Sequence, residues 1–244
     1  MLQGVMLVSG IGLAAGALLS IASKLLAVKT DPTVDDLRAM LPGANCGACG
    51  FAGCDDYAAK LATKEVKTNL CTPGGATVAR QVSEYLGLPF EEVREMKAII
   101  KCSGDYDTSE YIMDYEGPQS CKACNAFYQG RRSCTHGCLG YGDCVEACKF
   151  NALHVENGLV HIDRALCTGC GACSKVCPNH LFDLVPDTSL VYVGCSSHDK
   201  GAYTRKVCKA GCIGCMRCQK TCEYGAIVVT ENLASIDPEK CTNC

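Results

Sequence analysis

The sequence has no tryptophan and only five phenylalanines among its 244 residues. Large aromatic rings dominate the interior of ordinary domains, so something else must fill this one. Neither sign of charge is in excess: 23 basic and 26 acidic residues leave a net charge of −3. That balance argues against a nucleic-acid partner, which needs a basic face. No activated nucleophile, acid–base pair or phosphate loop can be found. Gly10-x-Gly12-x-x-x-Gly16 mimics part of a dinucleotide fingerprint, but it follows no strand and lies inside an apolar run, so it is discarded. His136, His154, His161, His180 and His198 lack metal spacing and read as surface or loop residues. No catalytic residue is expected in this chain, nor a bound flavin or nicotinamide.

What is abundant is cysteine, with 23 residues. From Cys134 to Cys177, eight cysteines fall within 44 residues, ending in Pro178. The second half, Cys167, Cys170, Cys173 and Cys177-Pro178, matches the bacterial ferredoxin run C-x2-C-x2-C-x3-C-P. Three thiolates of such a run hold one iron–sulfur cluster and the fourth ligates its neighbour. Disulfides would need an oxidising compartment, and nothing here argues for export. Zinc sites pair two Cys-x2-Cys knuckles, whereas triplets followed by Cys-Pro favour clusters. The clusters then serve as much of the core, and the apo-protein should be poorly folded.

Met1–Ser23 carries no charged side chain, and Lys24 and Lys29 follow. A helix over residues 2–23, rising about 1.5 Å per residue, matches the thickness of a bilayer's hydrocarbon core. One transmembrane helix is therefore expected within residues 1–29. Its positive charge lies after the apolar stretch, which argues against a cleaved signal peptide. The same asymmetry leaves the N-terminus outside and the remainder in the cytoplasm, single-pass. Gly12, Gly16 and Ser20 form a small-residue stripe of the kind that lets membrane helices approach closely.

Residues 30–95 read as a small helical domain around four cysteines. Asp31-Pro32 caps a helix running to about Leu41. Cys46, Cys49, Cys54 and Cys71 follow, with Gly47, Gly50 and Gly53 letting the backbone wrap closely around sulfur. Asp55 and Asp56 start a second helix that carries Tyr57 and Leu61 inward. A third, from about Ala76 to Leu86, stops at Gly87.

An apolar N-terminal helix, then CGACGFAGC with Cys71, then tandem ferredoxin runs, resembles the B subunits of Rnf complexes over essentially the whole chain. The resemblance implies an electron-transfer subunit of a membrane-bound ion-translocating (Na+ or H+) ferredoxin:NAD+ oxidoreductase. It implies reduced ferredoxin as donor, and integral-membrane and flavin-carrying subunits and the lipid bilayer as partners. The CGACG-x3-C-x16-C element alone also resembles corrinoid iron–sulfur proteins, but no room remains for a cobalamin domain. A membrane-anchored polyferredoxin without ion pumping is the other alternative.

Residues 96–102 read as a strand, and 190–195 look similar. An offset of 74 then equates Cys134 with Cys208, Cys138 with Cys212, Cys144 with Cys218 and Cys148 with Cys222. Cys167 maps to Cys241 and Cys170 to Cys244. Fixed spacing means a duplicated unit, so 96–190 and 191–244 are expected as two ferredoxin-like modules. Cys173 and Cys177 project past Cys244, so the second copy is expected to be incomplete and the native chain longer. The first unit has 19 extra residues before Cys134, including Cys121 and Cys124, and has Tyr141 where the second has Cys215.

The expected class is thus α+β. Cys46, Cys49, Cys54 and Cys71 hold one [4Fe–4S] cluster. Cys134, Cys138, Cys144 and Cys177 hold a second, with Cys134 compensating for Tyr141. Cys148, Cys167, Cys170 and Cys173 hold a third. Two more are partly encoded, one by Cys212, Cys215 and Cys218 and one by Cys222, Cys241 and Cys244. Cys102, Cys121, Cys124, Cys195 and Cys208 remain as buried thiols, with an extra cluster on Cys102, Cys121 and Cys124 as the alternative.

Overall fold

The computed structural model describes residues 2–25 and 31–244, with side chains in the first stretch given for Met6 and for Ser9 to Ser23. Helix α1 spans Leu2–Leu25. The expected transmembrane span is corrected: among the described residues no helix is long and apolar enough to cross a membrane. Ten of the fifteen residues from Ser9 to Ser23 are Gly, Ala or Ser, which contribute little apolar surface. Lys29 lies outside the described residues, as does the side chain of Lys24.

Three helices follow around one small core. α2 is Pro32–Met40; Asp31 Oδ1 accepts from the Thr33 amide at 2.9 Å, and Pro32 opens the first turn. α3 is Cys54–Ala62, with Asp55 and Asp56 at its N-terminal, electropositive end. α4 is Gly75–Leu86 and stops at Gly87, whose φ of 65° only glycine adopts freely. These ends fall within a residue or so of those expected. Leu37, Leu61 and Val82 are fully buried between the helices, each contributing about 1.5–3 kcal/mol of transfer free energy.

β1, Met96–Ile100, pairs antiparallel with β4, Phe182–Pro186, in the register Ala98 opposite Leu184. The segment 190–195 expected as a strand is not one. Leu190, Val191 and Tyr192 are exposed, whereas Phe182 and Leu181 seal the apolar face beside Ala98 and Ile100. Between β1 and β4 lie the short helices α5 (Cys121–Asn125) and α6 (Asp143–Glu146), the hairpin β2 (Leu153–Glu156) and β3 (Leu159–Ile162), and α7 (Ala172–Val176). Beyond them come α8 (Gly201–Val207), α9 (Arg217–Thr221) and the hairpin β5 (Ile227–Thr230) and β6 (Leu233–Ile236).

The duplicated sequence folds the same way twice. β2–β3 joins Leu153 to Ile162, and β5–β6 joins Ile227 to Ile236, 74 residues on. Both hairpins turn through two residues at positive φ, Asn157-Gly158 and Glu231-Asn232, the backbone that matches strand twist in two-residue loops. The bond from the Asp163 amide to the Ala152 carbonyl recurs between Asp237 and Ala226, both at 2.8 Å.

Candidate metal centres

Cys46 and Cys49 lie on the loop between α2 and α3, Cys54 opens α3, and Cys71 precedes α4. Gly47 and Gly50, at φ 67° and 89°, make the reversals that turn the loop back on itself. The Asn45 side chain fixes its end, accepting from the Cys54 amide at 2.8 Å. Burial pushes the Cys71 thiol up to about 11, opposed by the Gly74 amide and reinforced by Cys54, Cys46 and Cys49. Cys71, Cys49 and Cys54 pack into one cluster with Leu37, Tyr57 and Leu61. A buried thiol of this kind ionises only against a strong Lewis acid such as iron.

Cys148, Cys167, Cys170 and Cys173 line a cavity walled by Ala98, Phe150 and Leu153. Strand β1 reaches it directly, for the Ala98 amide donates to Cys167 Sγ at 3.4 Å. Burial, with Cys170 and Cys167 adding to it, lifts the Cys173 thiol to about 12. Cys170 is raised by burial and, more weakly, by Cys46, and a contact from α7 ties this cavity to the first cysteine loop. Lys175 Nζ bridges the two by donating to the Gly47 carbonyl at 3.3 Å.

The next cavity is lined by Cys138, Cys144 and Cys177 together with Cys121 rather than Cys134. Asp143 makes this arrangement. Its carboxylate accepts from the Cys121 amide at 2.7 Å, the Lys122 amide at 3.1 Å and the Ser120 hydroxyl at 2.9 Å. It thereby caps α5 from α6 and sets Cys121 beside Cys144. Although burial works against the anion, these donors hold the Asp143 carboxyl below its usual range. Burial raises Cys144, and Cys138, Cys121 and Cys177 raise it further. Tyr141 turns away, its ring 5.8 Å from Tyr115 and under the Arg131 guanidinium at 4.8 Å. Cys124, fully buried, packs with Leu139 near those rings.

Cys134 is found elsewhere. It lines a cavity with Cys102, Cys195 and Cys208, between the two repeats. Motif spacing leaves those last three spare. The offset points to Cys208, which it equates with Cys134, whereas Cys102 and Cys195 fall outside it. In the second repeat, Cys218, Cys222, Cys241 and Cys244 line a larger cavity of about 260 Å³. Cys212 is half-buried and Cys215 exposed on the preceding loop.

Among the described residues no His, Cys, Asp or Glu side chains converge closely enough to hold a single metal ion. Four thiols spread around a cavity suit a larger body, a [4Fe–4S] cubane, whose ligands are cysteine thiolates. The donor chemistry and the apolar walls fit that group.

Residues 41–73 match the family described as "Putative Fe-S cluster", and residues 160–181 match the 4Fe-4S binding domain. The B subunit of the ion-translocating oxidoreductase complex of Methanosarcina acetivorans is 42% identical across all of this chain and 93% of its own length. The B subunit of the Na(+)-translocating ferredoxin:NAD(+) oxidoreductase complex of Acetobacterium woodii is 39% identical, over 96% of this chain and 70% of its own. The proton-translocating counterpart of Clostridium ljungdahlii is 40% identical, over 96% and 83%. With its cysteine-lined cavities and full-length similarity to these proteins, the chain belongs to the B-subunit family of the Rnf ion-translocating oxidoreductase complexes.

Proposed function

We propose that this chain is the electron-transfer subunit of a membrane-associated ferredoxin:NAD+ oxidoreductase complex that moves Na+ or H+. It takes electrons from reduced ferredoxin and relays them to the flavin-carrying and integral-membrane subunits. It completes no active site alone. The observation that carries the reading is the succession of cysteine-lined cavities. The loop of Cys46 and Cys49 is tied to α7 by Lys175, whose Nζ donates to the Gly47 carbonyl at 3.3 Å, and the cavity containing Cys170 adjoins the one containing Cys144 through the packed helices α6 and α7.

[4Fe–4S] clusters exchange single electrons at potentials set by hydrogen bonds to sulfur and by solvent exposure. The residues proposed to hold them are Cys46, Cys49, Cys54 and Cys71; Cys121, Cys138, Cys144 and Cys177; and Cys148, Cys167, Cys170 and Cys173. Cys212, Cys215 and Cys218 supply three corners of a further cluster, and Cys222, Cys241 and Cys244 begin another. The Ala98 amide donates to Cys167 and stabilises negative charge there. Phe182 and Leu181 keep water from Cys144 and Cys177. Division into 30–95, 96–190 and 191–244 follows from these groupings. Ferredoxin is proposed to dock on the C-terminal repeat, on the cytoplasmic side, with electrons leaving at the Cys46–Cys71 end.

The test is rapid mixing of the anaerobically purified, iron-loaded full chain with reduced low-potential ferredoxin. Bleaching of the cluster absorption and the appearance of reduced-cluster EPR signals are expected. An iron-loaded chain that takes up no electrons from ferredoxin would overturn the entry role.

A further inference from the structure

We propose that Cys102, Cys134, Cys195 and Cys208 hold an additional [4Fe–4S] cluster at the junction of the two repeats. Each repeat contributes two of the four. Cys102 follows β1, and Cys134 opens the first cysteine run; Cys195 and Cys208 are their counterparts in the second copy. All four line one cavity, and none belongs to the other cysteine-lined cavities described above.

The site is built by contacts that join the repeats. The Glu110 amide donates to the Val207 carbonyl at 3.0 Å, and the Lys209 amide to the Thr108 carbonyl at 2.8 Å. These bracket Cys208 and hold it against the 19-residue insertion of the first repeat. From the other side, Ser196 Oγ donates to the His136 carbonyl at 3.0 Å and Tyr203 Oη to the Ser133 carbonyl at 3.3 Å. They fix Cys195 and Cys134 in turn.

Three of the sulfurs already receive hydrogen bonds. The Cys138 amide donates to Cys102 Sγ at 3.3 Å, the Ser197 amide to Cys195 Sγ at 3.5 Å, and the Ser109 hydroxyl to Cys208 Sγ at 3.6 Å. Donors aimed at sulfur favour thiolate over thiol and are the usual surroundings of a cluster.

A second, independent observation is Arg132, which is 1% exposed. Its guanidinium donates to the carbonyls of Gly104 at 2.6 Å and Gly158 at 2.8 Å and to Ser109 Oγ at 3.4 Å. Among the described residues no carboxylate pairs with it, and its Nε has no partner. A buried cation without a counter-ion is costly. Ser109 links it directly to Cys208, and Gly104 lies two residues from Cys102. A cluster held by four thiolates is net anionic and supplies the missing counter-charge. Bound there, it would be a one-electron stop between the two repeats.

The deciding measurement is anomalous diffraction at the iron edge from anaerobic crystals of the full chain. A peak in the Cys102–Cys134–Cys195–Cys208 cavity is expected. A cavity without iron, in crystals whose other sites carry it, overturns the proposal. Variants give a second readout. Cys195→Ala and Cys208→Ala should each lose about four iron and four sulfide per chain and one reduced-cluster EPR component, whereas Cys124→Ala should lose none. Full retention of iron in both Cys195→Ala and Cys208→Ala would also overturn it. Should those variants fail to fold, the diffraction result on the unmodified chain still decides.

Discussion

Asp143→Ala should selectively release the cluster proposed at Cys121, Cys138, Cys144 and Cys177. The carboxylate accepts two backbone amides and a hydroxyl at 2.7 to 3.1 Å, and through these bonds α6 holds the start of α5. Loss of a helix cap costs about 0.5–2 kcal/mol, and hydrogen bonds to a charged acceptor contribute about 1.5–3 kcal/mol. Overlap between these two figures leaves a local cost of about 2–4 kcal/mol. At about 1.4 kcal/mol per tenfold, opening around Cys121 becomes roughly thirty- to several-hundred-fold more frequent. The assay is the rate of iron release to a chelator under anaerobic conditions, with total iron counted before and after. Asp143→Asn keeps an acceptor oxygen but no charge and should fall between. The charge dependence has a definite sign. The folded carboxyl is held below its ordinary value, so its contribution is present above the unfolded value of about 3.9. It is lost as pH falls through the lower folded value, and the gap between wild type and Asp143→Asn should close only in that acidic range. If Asp143→Ala kept all its iron and released it at the wild-type rate, Cys121 would not owe its place to this cap.

Three further outcomes are expected. Cys121→Ser should lose one cluster's iron while Cys124→Ser keeps it all, read by iron and sulfide counts; equal behaviour of the two would remove the case for Cys121 as the ligand. Gly169→Ala should empty the Cys148–Cys173 site, because φ at Gly169 is +66° and a Cβ there runs into the Met96 carbonyl; the left-handed strain alone costs about 1–2 kcal/mol, and EPR of the reduced chain would show the missing component. Tyr57→Phe removes the bond from its hydroxyl to the Lys67 carbonyl at 2.8 Å and should lower stability by about 0.5–1.5 kcal/mol, visible as a lower urea midpoint for iron loss from the N-terminal loop.

Helix ends in residues 31–87 were legible because each is set by a local rule. Asp31-Pro32, Asp55-Asp56 and Gly87 act through their own backbones. The hairpins were legible as a repeat, because turn and register recur at 74 residues. The partner of β1 was not. Leu190–Val193 has the better strand composition, but Phe182 and Leu181 bury the face that Ala98 and Ile100 present. Tertiary burial overrode propensity there. The span expected near the N-terminus failed for a related reason: absence of charge is not apolarity, and small residues carry much of that run. The placing of Cys121 depended on Asp143, 22 residues away, and no spacing rule reports such a contact.

The grouping of Cys134 was nevertheless decidable by counting. In the second repeat, Cys212, Cys215, Cys218 and Cys222 form a full regular run without Cys208. The residue equivalent to Cys208 in the first repeat is Cys134, so duplication supports the proposal that both lie outside the ferredoxin sites. Tyr141 then leaves the first run one ligand short, and Cys134 cannot fill that gap without breaking the equivalence. The missing ligand must come from sequence the second repeat lacks, and the 19-residue insertion contains only Cys121 and Cys124. Helix geometry chooses between them: Asp143 holds the α5 N-terminus against α6, and Cys121 is its first residue. On the proposed grouping, the segment between Cys102 and Cys134 supplies the substitute ligand, contributes Ser109 and Arg132 to the junction, and pairs with Val207 and Lys209 around Cys208. That one segment would then complete a site inside its own repeat and close another between the two.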